Sequence, residues 1–127
     1  MKSKAKTGAK KVYSNLENSL NGLKMAWAED HSFRHSAYNV LAAFILATIL
    51  TFAMDRSVYF WLILTASTIP IIIIETVNTS IEAVTDKASP ERSHLAKKAK
   101  DIGSAAVFLT RIFAAICWLV MIFGPTE

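Results

Sequence analysis

Two stretches of this chain contain no charged residue: residues 37–54, AYNVLAAFILATILTFAM, and residues 58–74, VYFWLILTASTIPIIII. A third, residues 102–124, contains one, Arg111. Wound as α-helices, spans of 17 to 23 residues match the roughly 30 Å hydrocarbon thickness of a bilayer. Within hydrocarbon a helix satisfies its own backbone, which an isolated strand does not. In water the same three helices would need covering almost all round, and a chain of 127 residues has too little else to cover them. The 53% hydrophobic content therefore has a destination, and the expected fold class is an all-α membrane protein with three transmembrane helices in a single domain.

Lys and Arg set the expected orientation. Twelve of the fourteen lie in residues 1–34 or 87–100, against Arg56 in the first turn and none after the third span. Positive segments stay inside, so the N-terminus is expected in the cytoplasm and the C-terminus outside. No cleavable leader is expected, because the basic stretch runs through Lys24 and Arg34 before any apolar run begins. The net charge of +4 reads as topology and attraction to anionic lipid, and no base-reading motif accompanies it, so no nucleic acid is expected as a partner. Cys117 is the single cysteine and lies within the third span, so an intrachain disulfide is excluded.

Residues 1–9 hold Lys, Ala, Ser, Thr and Gly and read as a disordered basic tail. The remainder, 10–127, reads as one membrane domain. Leu16, Leu20, Leu23 and Trp27 recur at helical spacing, which predicts an amphipathic surface helix over about 10–34. The second span is expected to continue as a helix past Glu75 to about Lys87, because ETVNTSIEAVTDKA carries no Gly or Pro. Pro70 directly precedes the isoleucines at 71–74, about one turn outward of Glu75, and can kink that helix or free a carbonyl. In the third span Gly103, Ser104, Ala105 and Ala106 allow close helix approach. Arg111 lies ten residues past Asp101, about 15 Å along the helix, and reads either as an ion-pair partner inside an assembly or as a guanidinium reaching for an interface.

Glu75, Asn78, Glu82 and Asp86 share one helical stripe that begins at the apolar edge, and Lys97, Lys98, Lys100 and Asp101 return to the same level. A carboxylate at that edge is costly unless protonated, paired or coordinating a cation, which makes Glu75 a candidate general base. Asn78 can hold a hydroxyl or a phosphate oxygen, and Glu82 is a hard oxygen ligand suited to Mg²⁺. His31 and His35 are four apart, but no third ligand stands at a zinc-type spacing. The glycines at 8, 22, 103 and 124 are isolated, so no P-loop or glycine-rich kinase loop is present.

ETVNTSIEAVTDK, then HLAKKAKDIGSAAV, and upstream GLKMAWAEDHSFR together resemble the bacterial integral-membrane diacylglycerol kinase family, whose members also include undecaprenol kinases. The resemblance covers about residues 10–124. It implies a homotrimer with active sites shared between subunits, using ATP and Mg²⁺ to phosphorylate the primary hydroxyl of diacylglycerol. Undecaprenol kinase is the alternative of the same architecture, and a non-catalytic three-span subunit is the alternative of another class. Carried over by motif, Glu75 is the general base with Asn78 beside it. Glu82 binds the metal on ATP, and Asp86, Lys100 and Asp101 belong to the nucleotide end, with Ser19 nearby. Trp27 and Ser104 join Glu75 at the lipid substrate. The second metal ligand of the family falls on Asp30 in place of the usual Glu, with Glu29 as its substitute. Arg111 and Pro70 depart from the apolar residues the family pattern has there.

Overall fold

The computed structural model describes residues 8–91 and 93–125. These residues form four helices: α1 Gly8–Glu29, α2 His31–Ala53, α3 Val58–Ala88 and α4 His94–Phe123. Residues 1–7 of the expected tail lie outside the described residues, while Gly8 and Ala9 belong to α1. The last three helices are each long and apolar enough to cross a membrane. The chain is thus an all-helical membrane protein.

The boundary between the first two helices falls at Asp30, not in the interval between residues 34 and 37. Asp30 adopts an extended conformation and its carboxylate accepts the Phe33 N–H at 2.7 Å, the N-cap role for which aspartate is among the best residues. Arg34 secures the junction from the other side, donating through Nη1 to the carbonyls of Trp27 at 2.7 Å and Ala28 at 3.2 Å. A cation there meets the carbonyls that the end of α1 leaves without helical donors.

At the other end of α2 the chain reverses through Met54–Ser57. The Arg56 N–H returns to Thr51 O at 2.9 Å and the Asp55 N–H to Phe52 O at 3.3 Å, the paired bonds of a Schellman stop. Asp55 supplies the left-handed residue this stop requires, with φ of 49°. The α3–α4 connection uses serines: Ser89 Oγ accepts the Ser93 N–H at 3.0 Å, and Ser93 Oγ caps α4 by accepting the Ala96 N–H at 3.2 Å. Pro90 follows directly and prevents α3 from continuing.

α3 is the central element, packed against both α2 and α4. Of its buried residues, Phe60, Leu64, Ser67, Thr68, Glu75 and Asn78 fall on one stripe at 3.6-residue periodicity, with Thr65 beside it. Near the α2–α3 turn the stripe is apolar. There Ala47, Phe60 and Leu64 form a core joined by Leu50, Trp61, Trp118, Met121 and Ile122. The indole N–H groups are satisfied, Trp118 donating to Leu64 O at 3.1 Å and Trp61 to Thr48 Oγ1 at 3.0 Å. In the middle the hydroxyls of Thr65, Ser67 and Thr68 return to carbonyls of their own helix at 2.8–2.9 Å, which removes their polarity from a low-dielectric contact. α3 continues through Pro70, whose missing N–H deprives the Ala66 carbonyl of its helical donor. Beyond Pro70 the stripe turns acidic.

Candidate active site

Three helices contribute to one cleft of about 470 Å³. His31, Ser32 and His35 line it from α2, Glu75, Asn78 and Glu82 from α3, and Ser104, Val107, Phe108 and Arg111 from α4. It lies along the polar half of the α3 stripe, beyond the apolar core formed by Ala47, Phe60 and Leu64.

Glu75 is only 3% exposed, and a carboxylate so enclosed requires partners. Ser36, fully buried on α2, donates its hydroxyl to Glu75 Oε2 at 3.0 Å. Arg111 Nη2 donates to that same serine oxygen at 2.9 Å and stands 3.9 Å from Glu75 Oε2. Serine can serve both because its hydroxyl gives one proton and accepts on its lone pairs. Arg111 pairs within the single chain: the guanidinium reaches from α4 toward the Glu75 carboxylate. Ser36 was missed altogether. Its only signal was a small polar residue one turn after Phe33, on the face of α2 that carries Phe33 and Ala47 into the interior.

One turn along, Asn78 Nδ2 donates to Glu82 Oε1 at 3.1 Å. Asn78 Oδ1 is buried and without a partner among the described residues; it lies against α4 at Gly103, where a Cβ would collide with it. Gly103 therefore has a specific use: it admits the Asn78 amide, which in turn fixes the rotamer of Glu82. The second Glu82 oxygen carries none of this bond and is a hard donor at the cleft.

The rest of the acidic stripe opens onto a neighbouring crevice of about 330 Å³ lined by Asp86, Ser89, Ala96, Lys97, Lys100 and Asp101. Lys100 pairs with Asp86 at 2.8 Å, and Lys97 pairs with Asp101. Both pairs are largely exposed, so each is worth little to stability; what they do is keep four alternating charges at one place.

A family model described as prokaryotic diacylglycerol kinase matches residues 17–122. The chain belongs to that family. Among its relatives, the diacylglycerol kinase of Escherichia coli (strain K12) is 33% identical over 118 residues, covering 93% of each chain. That of Helicobacter pylori (strain J99) is 38% identical over 111 residues, 87% of this chain and 84% of the relative. That of Pseudomonas aeruginosa is 32% identical over 121 residues, 95% of each. The chain is thus of the lipid-kinase family and of the bacterial membrane type.

Within this family member the single chain brings Glu75, Asn78, Glu82 and Ser104 to one cleft and Asp86, Lys100 and Asp101 to the next. It leaves four other candidates apart. Asp30 is engaged as the α2 cap, and Glu29 is the exposed last residue of α1. Ser19 is exposed on α1 with its hydroxyl on Asn15 O at 2.9 Å. Trp27 packs edge-on against Tyr38, centroids 5.5 Å apart. Among the described residues no three His, Cys, Asp or Glu side chains cluster as a metal site.

Proposed function

We propose that this protein is an ATP-dependent diacylglycerol kinase, giving phosphatidic acid. The observation that carries the reading is Glu75, a carboxylate held buried by Ser36 and Arg111 at the end of an apolar span, where a lipid hydroxyl and a water-soluble nucleotide can meet. The relatives named diacylglycerol kinase support the lipid. In the transfer the lipid oxygen forms a bond to the γ-phosphorus, the bond from that phosphorus to the ADP oxygen breaks with its electron pair leaving on ADP, and the hydroxyl proton passes to Glu75. Such transfers ask for positioning and charge neutralisation more than for covalent chemistry, so a P-loop is not required.

Mg²⁺ fits the donors present only in part. Glu82 offers one carboxylate oxygen, with its rotamer set by Asn78, and Mg²⁺ commonly takes one or two carboxylates together with phosphate oxygens. Glu82 would hold it, and Asp30 or Glu29 of a neighbouring subunit would be the second ligand. Bound there, the ion would neutralise charge on the ATP phosphates. Asp86, Lys100 and Asp101 would receive the nucleotide, with Ser19 beside it, and Trp27 and Ser104 would border the lipid.

The proposed assembly is a homotrimer with shared sites, as the family resemblance implies. Ser19, Glu29, Asp30 and Trp27 are separate from the cleft in one chain, and an adjoining copy is the economical way to supply them. α1 would lie on the cytoplasmic membrane surface, with Leu16, Leu20, Leu23 and Trp27, all exposed in the single chain, turned into the headgroup boundary. The basic segments support an N-terminus inside and a C-terminus outside.

The test is phosphorylation of dioleoylglycerol by the purified protein with Mg-ATP in mixed micelles. The unmodified protein should make phosphatidic acid, and Glu75→Gln should lose about 10²–10⁴-fold in kcat, the usual worth of a positioned base. No phosphatidic acid from the unmodified protein would overturn the function; undiminished Glu75→Gln would overturn the base.

A further inference from the structure

Arg111 belongs to the middle of an apolar span yet lines the cleft that holds Glu75. Helical side chains lean toward the N-terminus of their own helix, so Arg111 lies over the preceding turn, which contributes Val107 and Phe108 to the same wall. Its contact with the carboxylate is indirect. Nη2 is hydrogen-bonded to Ser36 Oγ at 2.9 Å, and 3.9 Å separates it from Glu75 Oε2, beyond hydrogen-bond reach. A guanidinium serving only to neutralise a carboxylate favours the direct, two-pronged contact. Here Ser36 stands between the two, and the Arg111 side chain remains 41% exposed beside a carboxylate 4% exposed. Of the five N–H donors of a guanidinium, those on Nη2 alone are engaged with side chains among the described residues.

We propose that Arg111 is a phosphate-binding residue that receives the phosphoryl group as it reaches the lipid oxygen and holds the phosphomonoester of the product. The proposal rests on the kinase reading above. Its physical basis is a change of partner within one step. Before transfer, the anion nearest the guanidinium is the Glu75 carboxylate. When the lipid oxygen bonds to phosphorus and its proton moves to Glu75, that carboxylate becomes neutral. At the same moment a phosphomonoester bearing about −1.5 to −2 charge stands next to it. The guanidinium loses one anion and gains another within the same cleft, and its planar fork suits phosphate oxygens.

Binding of dioleoylphosphatidic acid to the full-length protein in detergent micelles tests this without turnover, in a Glu75→Gln background where the carboxylate paired with Arg111 is gone. Adding Arg111→Leu should weaken phosphatidic acid binding about tenfold or more, a loss on the scale of one charge-assisted phosphate contact. Dioleoylglycerol binding should change less than about twofold, because the lipid tail and hydroxyl are common to both. Arg111→Lys, which keeps the charge and loses the fork, should fall between them and serves as the second variant should the leucine form fold poorly. Equal phosphatidic acid affinity with and without the guanidinium overturns the proposal. A parallel loss of dioleoylglycerol binding also overturns it, since a merely structural role would move both. Failure of the unmodified protein to phosphorylate dioleoylglycerol would instead be the failure of the kinase reading, and is read in a separate assay.

Discussion

Ser36 is a small residue with a large consequence, because its hydroxyl bridges the Glu75 carboxylate and the Arg111 guanidinium. Its replacement by alanine leaves a nearly inaccessible carboxylate short of a donor, a loss of about 1–3 kcal/mol. Ser36→Ala should therefore lower the thermal midpoint in detergent, and an unchanged midpoint would mean that Arg111 alone suffices. Gly103 has a comparable role on α4. A methyl group at that position would meet Asn78 Oδ1, and the amide would have to rotate away from Glu82. Gly103→Ala should raise the KM for Mg-ATP about tenfold, on the scale of one lost positioning hydrogen bond to a charged group, while the KM for dioleoylglycerol stays nearly constant. An unaltered nucleotide KM would dissociate Asn78 from the nucleotide end.

Among the elements, the α2–α3 turn carries the clearest backbone constraint. Asp55 has φ of 49° at the left-handed position of a Schellman stop, where glycine is the usual residue and a β-branched one is strained. Asp55→Gly should be neutral or stabilising by up to about 1 kcal/mol, and Asp55→Val should cost about 1–2 kcal/mol; both are measurable by thermal denaturation in micelles. Equal midpoints for the two would remove the backbone argument. The α1–α2 junction is organised differently, by side chains: the Asp30 carboxylate begins one helix and the Arg34 guanidinium ends the other. The break there was hard to read because both sides have helical propensity and no glycine or proline stands at the junction. Only the cap geometry separates the two helices.

For the whole molecule, the outward faces are apolar: Leu41, Ile45, Ile49, Leu62, Ile73, Phe108, Ile112 and Leu119 are all exposed in the single chain. Lipid covers such faces, and so do neighbouring subunits. If the sites are shared, two inactive chains should rescue one another. Co-assembled Glu75→Gln and Asp30→Asn subunits should recover a measurable fraction of the parent activity, because some sites would then draw both intact residues from different copies. Activity of the mixture no greater than that of either variant alone would place both residues in one chain.

The apolar spans, the long second membrane helix and the acidic stripe were legible because each depends on residues close in sequence: a 20-residue hydrophobic length, an absence of breakers, and a repeat of 3.6. Ile71–Glu75 already announced a carboxylate at the end of an apolar run. The partners of that carboxylate were not legible. Ser36 and Arg111 are 75 residues apart, on two different helices that converge on one carboxylate oxygen of α3, and no local pattern encodes which faces of three helices converge. That convergence is a property of packing: the small residues of α2 and α4 and the buried stripe of α3 decide how closely the helices approach, and so which polar groups must satisfy one another in a medium that offers no water.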